Sequence, residues 1–155
     1  MIVRTTTSPE ETRQVAADLA AALAPPVVVI LAGDLGAGKT CFVQGAARAL
    51  GVTAPVTSPT FVIAREYQGH DLRVIHADAY RLDSLAEVED LGGEELLCDD
   101  ALSFVEWGDA VADALPDASV IVEIEVTSET ERTIRIQAQD PRLLRRLEAG
   151  IGGAA

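Results

Sequence analysis

The order of apolar and polar positions predicts alternating strands and helices from the start of the chain. Residues 1–5 predict a short edge strand. Ser8 is followed by a proline and, three positions on, by a glutamate, a helix start signature. This first helix is expected to run to about residue 24, where two prolines end it. The unbroken run VVVILA at 27–32 predicts a parallel strand buried on both faces.

The same pattern continues downstream. A second helix is expected to follow residue 40 and to end near residue 50, before Gly51. Strands are predicted at 61–67, 72–80 and 101–106, with a mostly helical segment at 85–97 and short helices after residue 109 and around LLRRL. Apolar and polar residues alternate at 120–126 and 133–139, which predicts a hairpin. Together these elements predict an α/β fold with a mainly parallel sheet, an antiparallel portion and a C-terminal hairpin.

The chain length limits the number of domains. At 155 residues we expect a single domain over residues 1–149, followed by a flexible tail at 150–155. The N-terminal segment has no apolar signal region, and the longest apolar run is too short to cross a bilayer. Cys41 and Cys98 lack metal or redox spacing, which favours reduced thiols in a cytoplasmic protein.

Residues 33–40 read GDLGAGKT and match the phosphate-loop pattern G-x-x-x-x-G-K-[ST], between a predicted buried strand and a predicted helix. The glycines allow a tight turn whose N–H groups face phosphate oxygens at a helix N-terminus. The predicted nucleotide-binding residues are Gly33, Asp34, Leu35, Gly36, Ala37, Gly38, Lys39, Thr40 and Cys41.

Lys39 is the only lysine in the chain, and every other cationic side chain is arginine. Its compact charge suits a position between the β- and γ-phosphates, whereas the guanidinium of arginine is larger and differs in donor geometry. Thr40 is expected to offer its hydroxyl to Mg²⁺, and Cys41 its backbone N–H to the α-phosphate. Guanine recognition by an [NT]KxD motif needs a second lysine, so ATP is favoured over GTP.

Two acidic residues end predicted strands and can serve Mg²⁺ or its water. Asp78 ends VIHAD, where His76, Asp78 and Tyr80 share one face of the strand, and Glu106 ends LSFVE. The sequence leaves open which of the two binds the metal directly. Thr60 could approach Mg²⁺ or the γ-phosphate, or form an ordinary polar turn. Trp107 could pack on the core or contact the nucleotide or a partner.

The net charge of −13 argues against direct, tight binding to nucleic acid, which needs a basic stripe. The one basic cluster is Arg142, Arg145 and Arg146. Its helical spacing favours a solvated helix face. We therefore expect any contact with RNA or DNA to be indirect.

Four motifs occur in order: GDLGAGKT, SPTF, HADAYRL and VEWGD. Together they resemble the bacterial TsaE (YjeE) family, the ATPase of tRNA threonylcarbamoyladenosine (t6A37) biosynthesis, and the resemblance covers nearly the whole chain. It implies a three-layer P-loop NTPase-like fold that hydrolyses ATP to ADP and phosphate with Mg²⁺. It also implies assembly with the TsaD–TsaB heterodimer, so that tRNA is reached only through the complex and turnover is weak without these partners.

By position, the resemblance also assigns roles to single residues. Thr40 and Glu106 look like the Mg²⁺ ligands, and Asp78 looks like the acid that orients the attacking water or the metal's water shell. With Lys39, the two acids form the expected catalytic set. Thr12 and Arg132 match positions that line the nucleotide. Cys41 departs from the family, which usually has a second threonine there.

Two other functions are compatible with a phosphate loop. A small-molecule P-loop kinase would need an acceptor pocket and usually a lid that carries arginine. A nucleotide-gated binding module would bind ATP without meaningful turnover. Phosphate release with ATP alone, with metabolites or with TsaD–TsaB separates these possibilities.

Overall fold

The computed structural model describes residues 1–59, 64–78, 99–106 and 119–152, and these residues form a seven-stranded sheet with three helices. In chain order the elements are β1 (Ile2–Thr6), α1 (Pro9–Ala22), β2 (Val27–Ala32), α2 (Lys39–Ala49), β3 (Ala64–Gln68), β4 (Arg73–Asp78), β5 (Ala101–Glu106), β6 (Ser119–Val126), β7 (Arg132–Ala138) and α3 (Pro141–Gly152). The predictions for Thr60, Tyr80, Cys98, Trp107 and the helices at 85–97 and after residue 109 fall outside the described residues.

The strand order is β1-β7-β6-β2-β5-β4-β3. Strands β6, β2, β5 and β4 pair in parallel, whereas β7 and β3 run antiparallel to their neighbours. Five of the seven strands therefore point in one direction. The predicted mainly parallel sheet, its antiparallel portion and the β6–β7 hairpin are confirmed. The carboxyl ends of β2, β4 and β5 lie at the same edge of this sheet, where α/β proteins bind ligands.

Helix α1 begins where its sequence signature predicts. The Ser8 hydroxyl oxygen accepts a hydrogen bond from the Glu11 N–H at 3.2 Å, and Pro9 is the first helical residue. The Glu11 carboxylate accepts from the backbone N–H of Thr7 at 2.6 Å, one residue before the cap. Both bonds satisfy N–H groups for which the helix itself has no acceptor, and they fix the entry of the chain into α1.

The two faces of β2 pack against different sets of residues. Val27, Val29 and Leu31 join the larger core, to which α1, α2 and α3 all contribute, while Val28 and Ile30 join a smaller apolar cluster on the other face. The whole strand is buried, as the unbroken apolar run predicts. The three described helices thus cover one face, and the third layer expected on the other face falls outside the described residues.

The hairpin buries one face of β6. Val120, Val122 and Ile124 are buried, whereas Glu123 and Glu125, which flank Ile124, are exposed, as their alternation predicts. None of the helices in the described ranges is long and apolar enough to span a bilayer.

The end of the chain differs from its sequence-based expectation. Helix α3 extends through Gly152, so the flexible tail expected at 150–155 is wrong for 150–152, while residues 153–155 fall outside the described residues. Leu143, Leu147 and Ile151 recur at intervals of four residues and bury one stripe of the helix in the core. The Ile151 carbonyl also accepts a hydrogen bond from Arg4 at 2.7 Å. This burial keeps the last turn helical despite its glycines.

Candidate functional site

The loop at residues 33–38 joins the buried end of β2 to the first turn of α2. The backbone φ angles of Gly33, Gly36 and Gly38 are 150°, 79° and 113°. Residues that carry a Cβ atom rarely adopt φ angles in this range. Gly38 is the N-cap of α2 and provides no side-chain cap. The N–H groups of the first helical turn are therefore left for another acceptor, and the helix dipole favours an anion there.

Gly33 is required for a second reason, the close approach of a neighbouring strand. A Cβ atom at this position would lie 2.5 Å from the backbone oxygen of Ile124 in β6. The loop therefore leaves β2 in direct contact with the hairpin. This packing explains why the first glycine of the motif accepts no side chain.

Lys39 lies against the loop that it follows. Its Nζ donates hydrogen bonds to the carbonyl oxygens of Gly33 at 2.6 Å and Asp34 at 3.1 Å. The ammonium group is thus held beside the loop by acceptors that a phosphate can replace. Side chains of two other loop residues point outward: Asp34 is exposed and Leu35 is 92% exposed. The side chains of these two predicted binding residues are thus not packed against the loop.

Thr40, Glu106 and His76 form a continuous hydrogen-bonded chain. The Thr40 hydroxyl donates to Oε1 of Glu106 at 2.9 Å, and Nε2 of His76 lies 2.7 Å from the same oxygen. Burial acts to raise the pKa of Glu106, but the hydrogen bonds from His76 and Thr40 and the nearby charge of Lys39 outweigh it. The pKa of Glu106 is therefore below its ordinary value, and the carboxylate is charged at neutral pH.

Asp78 is the register partner of Glu106 on the neighbouring parallel strand. Their Cα atoms are thus separated by about 5 Å, the usual spacing of paired strands. His76 and Asp78 share one face of β4, as predicted, because side chains alternate along a strand and Ile75 and Ala77, which flank His76, pack in the cluster on the other face. Both acids that the sequence indicates therefore lie at the edge of the sheet where the phosphate loop begins.

The chemistry of these groups fits Mg²⁺. Thr40 and Glu106 offer hydroxyl and carboxylate oxygens, the hard donors that Mg²⁺ prefers, and they already contact each other. The described residues contain no group of three or more His, Cys, Asp or Glu side chains arranged to hold a metal. Mg²⁺ is commonly held by one or two carboxylates and keeps water and phosphate oxygens in its shell, a coordination to which Thr40 and Glu106 could contribute.

A cavity of about 450 Å³ opens beside the phosphate loop. Gly36 and Gly38 form one side of it, and Thr12, Cys41 and Arg132 lie around it. These three residues come from α1, α2 and the start of β7, so only the folded chain assembles them. The cavity adjoins the phosphate loop directly, at Gly36, Ala37 and Gly38.

Thr12 and Arg132 are both fixed by hydrogen bonds. The buried Thr12 hydroxyl shares a 2.9 Å hydrogen bond with the Thr6 hydroxyl. Arg132 donates from Nε to the Ala37 carbonyl at 3.0 Å and from a terminal nitrogen to the Ser128 carbonyl at 3.1 Å. Arg132 therefore joins the phosphate loop to the turn of the hairpin.

Cys41 has the environment of a packed thiol. Its Sγ lies 3.5 Å from the Pro9 carbonyl, and burial is the largest influence that raises its pKa. A thiol with a raised pKa is a poor nucleophile. The Cys41 thiol is therefore not arranged as a nucleophile, and the expected contact of the Cys41 backbone N–H with a phosphate stays a prediction.

Sequence reasoning missed two residues of the site. The sequence places His76 on the same strand face as Asp78 but assigns it no function. This spacing of two residues in a strand was the signal that could have indicated a place in the site. Arg13 lines the same cavity as Thr12 and extends toward Gln44, 3.5 Å away. Its position directly after Thr12 in a helix does not indicate that its side chain lines the cavity.

Similarity to known proteins was found at the level of family, sequence and structure. A family model described as "Threonylcarbamoyl adenosine biosynthesis protein TsaE" matches residues 6–134. The protein of Bacillus subtilis (strain 168) called "tRNA threonylcarbamoyladenosine biosynthesis protein TsaE" is 41% identical over 133 residues, covering 86% of this chain and 83% of the relative.

Two further matches extend this comparison. A Treponema pallidum (strain Nichols) protein with the same description is 41% identical over 109 residues, covering 70% of this chain and 80% of the relative. The crystal structure of Bacillus subtilis YdiB superposes with a TM-score of 0.81 at 34% identity, covering 99% of this chain and 96% of that one.

Proposed function

Because this chain belongs to the TsaE family, we propose that it is the Mg²⁺-dependent ATP-hydrolysing subunit of tRNA threonylcarbamoyladenosine biosynthesis. The observation that carries the proposal is the Thr40–Glu106 hydrogen bond at the mouth of the phosphate loop. It joins the first turn of α2 to the end of β5, as a phosphate loop paired with an acidic strand end requires. A hydroxyl and a carboxylate held together in this way could serve the metal ion that accompanies a nucleoside triphosphate.

Binding of ATP would use groups that are already in position. The triphosphate would be held by the N–H groups of residues 36–41 and by Lys39, whose ammonium would exchange the Gly33 and Asp34 carbonyls for phosphate oxygens. The cavity beside Thr12, Cys41 and Arg132 would hold the nucleoside. Mg²⁺, held by Thr40 and Glu106, would neutralise charge on the phosphates.

Hydrolysis needs a group that orients the attacking water, and we assign this role to Asp78. It ends β4 beside Glu106 on the face of the sheet that carries the phosphate loop. A carboxylate there can accept a hydrogen bond from water as phosphoryl transfer begins. Lys39 would stabilise the charge that develops on the transferred group.

The acidity of the chain supports an indirect role toward tRNA. A surface with a net charge of −13 would be repelled by a polyanion. We therefore propose that the protein acts in the cytoplasm through the TsaD–TsaB heterodimer and that ATP turnover resets this complex. A loop or side chain ordered by docking would complete the site, so that the free protein hydrolyses ATP slowly.

The test measures the ATPase rate, co-elution and tRNA binding with and without the TsaD–TsaB pair. The protein alone should turn over ATP weakly and bind tRNA poorly at physiological salt. With the pair, ATP should promote a ternary complex and the rate of hydrolysis should rise. The Lys39→Ala variant serves as the control, because it removes the charge at the phosphates and little packing.

Two other results would contradict the proposal. If the pair leaves rate and co-elution unchanged, while a small metabolite stimulates turnover and becomes phosphorylated, the protein is a kinase. If ATP promotes the complex with no phosphate release under any condition, it is a nucleotide-gated binding module.

A further inference from the structure

His76 is a polar residue in the interior of the protein. Its exposed fraction is 0%, and it lies on β4 opposite Phe104 of β5, which is also fully buried. Its Nε2 is 2.7 Å from Oε1 of Glu106, while Nδ1 has no hydrogen-bond partner in the described part of the chain. The ring therefore has one polar contact there, and that contact is with a proposed Mg²⁺ ligand.

The surroundings of His76 would suit an apolar side chain. Val74, two residues earlier on the same face of β4, is buried in the main core with Phe104. A buried polar atom without a partner costs free energy of folding. Stability alone does not explain a histidine here, so its contact with Glu106 is the feature that needs a function.

The two donors converge on a single carboxylate oxygen. Thr40 Oγ1 at 2.9 Å and His76 Nε2 at 2.7 Å both bond Oε1 of Glu106. A carboxylate held at one oxygen from two directions cannot turn freely about its last torsion. Its other oxygen is then presented in a fixed direction.

We propose that His76 is a positioning residue: its hydrogen bond to Oε1 orients Glu106 so that the second oxygen meets Mg²⁺ or its water beside Thr40. The inference rests on the proposed function, because it assumes that Thr40 and Glu106 serve Mg²⁺. Residues that hold metal ligands in this way typically change metal affinity or activity by about 10–100-fold when they are replaced.

The experiment compares His76→Gln with His76→Met, two side chains of similar length of which only glutamine can donate a hydrogen bond. ADP affinity is measured for each purified variant with and without Mg²⁺, and thermal unfolding is recorded to establish that each is folded. His76→Leu is a second donor-free variant and replaces His76→Met if the latter does not fold.

The donor-free variants should lose about tenfold or more of the gain in ADP affinity that Mg²⁺ gives to the wild type, with metal-free affinity unchanged. His76→Gln should keep most of that gain. In a Glu106→Gln background, removal of the donor should cause little further loss, because both changes act through the same carboxylate.

The inference is overturned if donor-free variants keep the full gain while Glu106→Gln loses it; the proposed metal site then survives. It is also overturned if binding weakens equally with and without Mg²⁺, since that pattern indicates a structural role for the ring. If ADP binding by the wild type does not respond to Mg²⁺, the metal site of the proposed function fails, and this inference fails with it.

Discussion

Asp78 and Glu106 are register partners at the carboxyl ends of the adjacent parallel strands β4 and β5. Both side chains lie on the face of the sheet that packs against α2, because β-strand residues alternate between faces. Among the described contacts, the hydrogen bond to Thr40 of the phosphate loop is made by Glu106. Two neighbouring acids therefore have different surroundings, and this difference predicts different phenotypes for their amide variants.

Glu106→Gln should weaken the Mg²⁺ dependence of nucleotide affinity, because the amide lacks the charge that a hard cation requires. Asp78→Asn should keep nucleotide affinity and lose hydrolysis, because the amide cannot accept a proton from water. Titrations of Mg²⁺ against nucleotide binding, with phosphate release measured for both variants, test the assignment. If the two phenotypes are exchanged, the roles of the two acids are exchanged as well.

Lys39→Ala should abolish ATP turnover and leave the fold intact. Loss of one group that stabilises transition-state charge raises the activation free energy by about 3 kcal/mol, which lowers the rate about a hundredfold or more. Lys39→Arg should be almost as damaging, because a planar guanidinium differs in size and donor geometry from an ammonium group held 2.6 Å from the Gly33 carbonyl. Single-turnover rates measure both effects, and near-normal turnover by Lys39→Arg would refute the argument for a compact charge.

Gly45→Ala should destabilise the protein, although alanine is the better helix former by about 1 kcal/mol. Gly45 lies in α2, and a Cβ there would collide with the backbone of Arg13 in α1. Forcing the two helices apart should cost about 1–3 kcal/mol and lower the melting temperature by several degrees. The same shift should weaken nucleotide binding, since α1 also carries Thr12.

The matched control for this change is Gly152→Ala in α3, where an added Cβ meets no atom of the described residues within 4 Å. Its melting temperature should stay close to that of the wild type. Equal stability of the two alanine variants would mean that α1 and α2 pack less closely than the structure indicates.

The stabilising effect of the Glu106 charge should disappear in acid. The pKa of Glu106 in the folded protein is below its ordinary value of 4.5, so the folded state favours the charged form more than the unfolded state does. The resulting stability is present above the unfolded pKa and is lost as pH falls through the folded pKa. The difference in unfolding free energy between the wild type and Glu106→Gln should therefore shrink between pH 5 and about pH 3.

Chemical unfolding of both proteins without Mg²⁺ or nucleotide measures this difference. Other carboxylates titrate in both proteins, so their effects largely cancel in the comparison. A difference that grows on acidification would mean that burial, which raises the pKa of Glu106, outweighs the hydrogen bonds from His76 and Thr40.

Local patterns predicted the elements that depend on neighbouring residues. The Ser8 cap, the buried run of β2, the alternation of β6 and the phosphate loop are all encoded within a few positions, because dihedral preferences and side-chain periodicity are local properties. The end of α3 was also encoded locally, in the spacing of Leu143, Leu147 and Ile151. The glycines that follow favoured a tail, and burial in the core outweighed them.

The sequence by itself determined that the chain contains a phosphate-loop motif that ends in Lys39 and Thr40, with acids at the ends of later strands. Tertiary structure decided which groups meet. The placement of β2 between β5 and β6 brings Glu106 to Thr40 and the hairpin to Gly33, across 66 and 91 positions of sequence respectively. It also brings His76 against Glu106 and joins Arg132 to Ala37. Contacts of this kind depend on strand order and on the packing of whole faces, which no local pattern specifies.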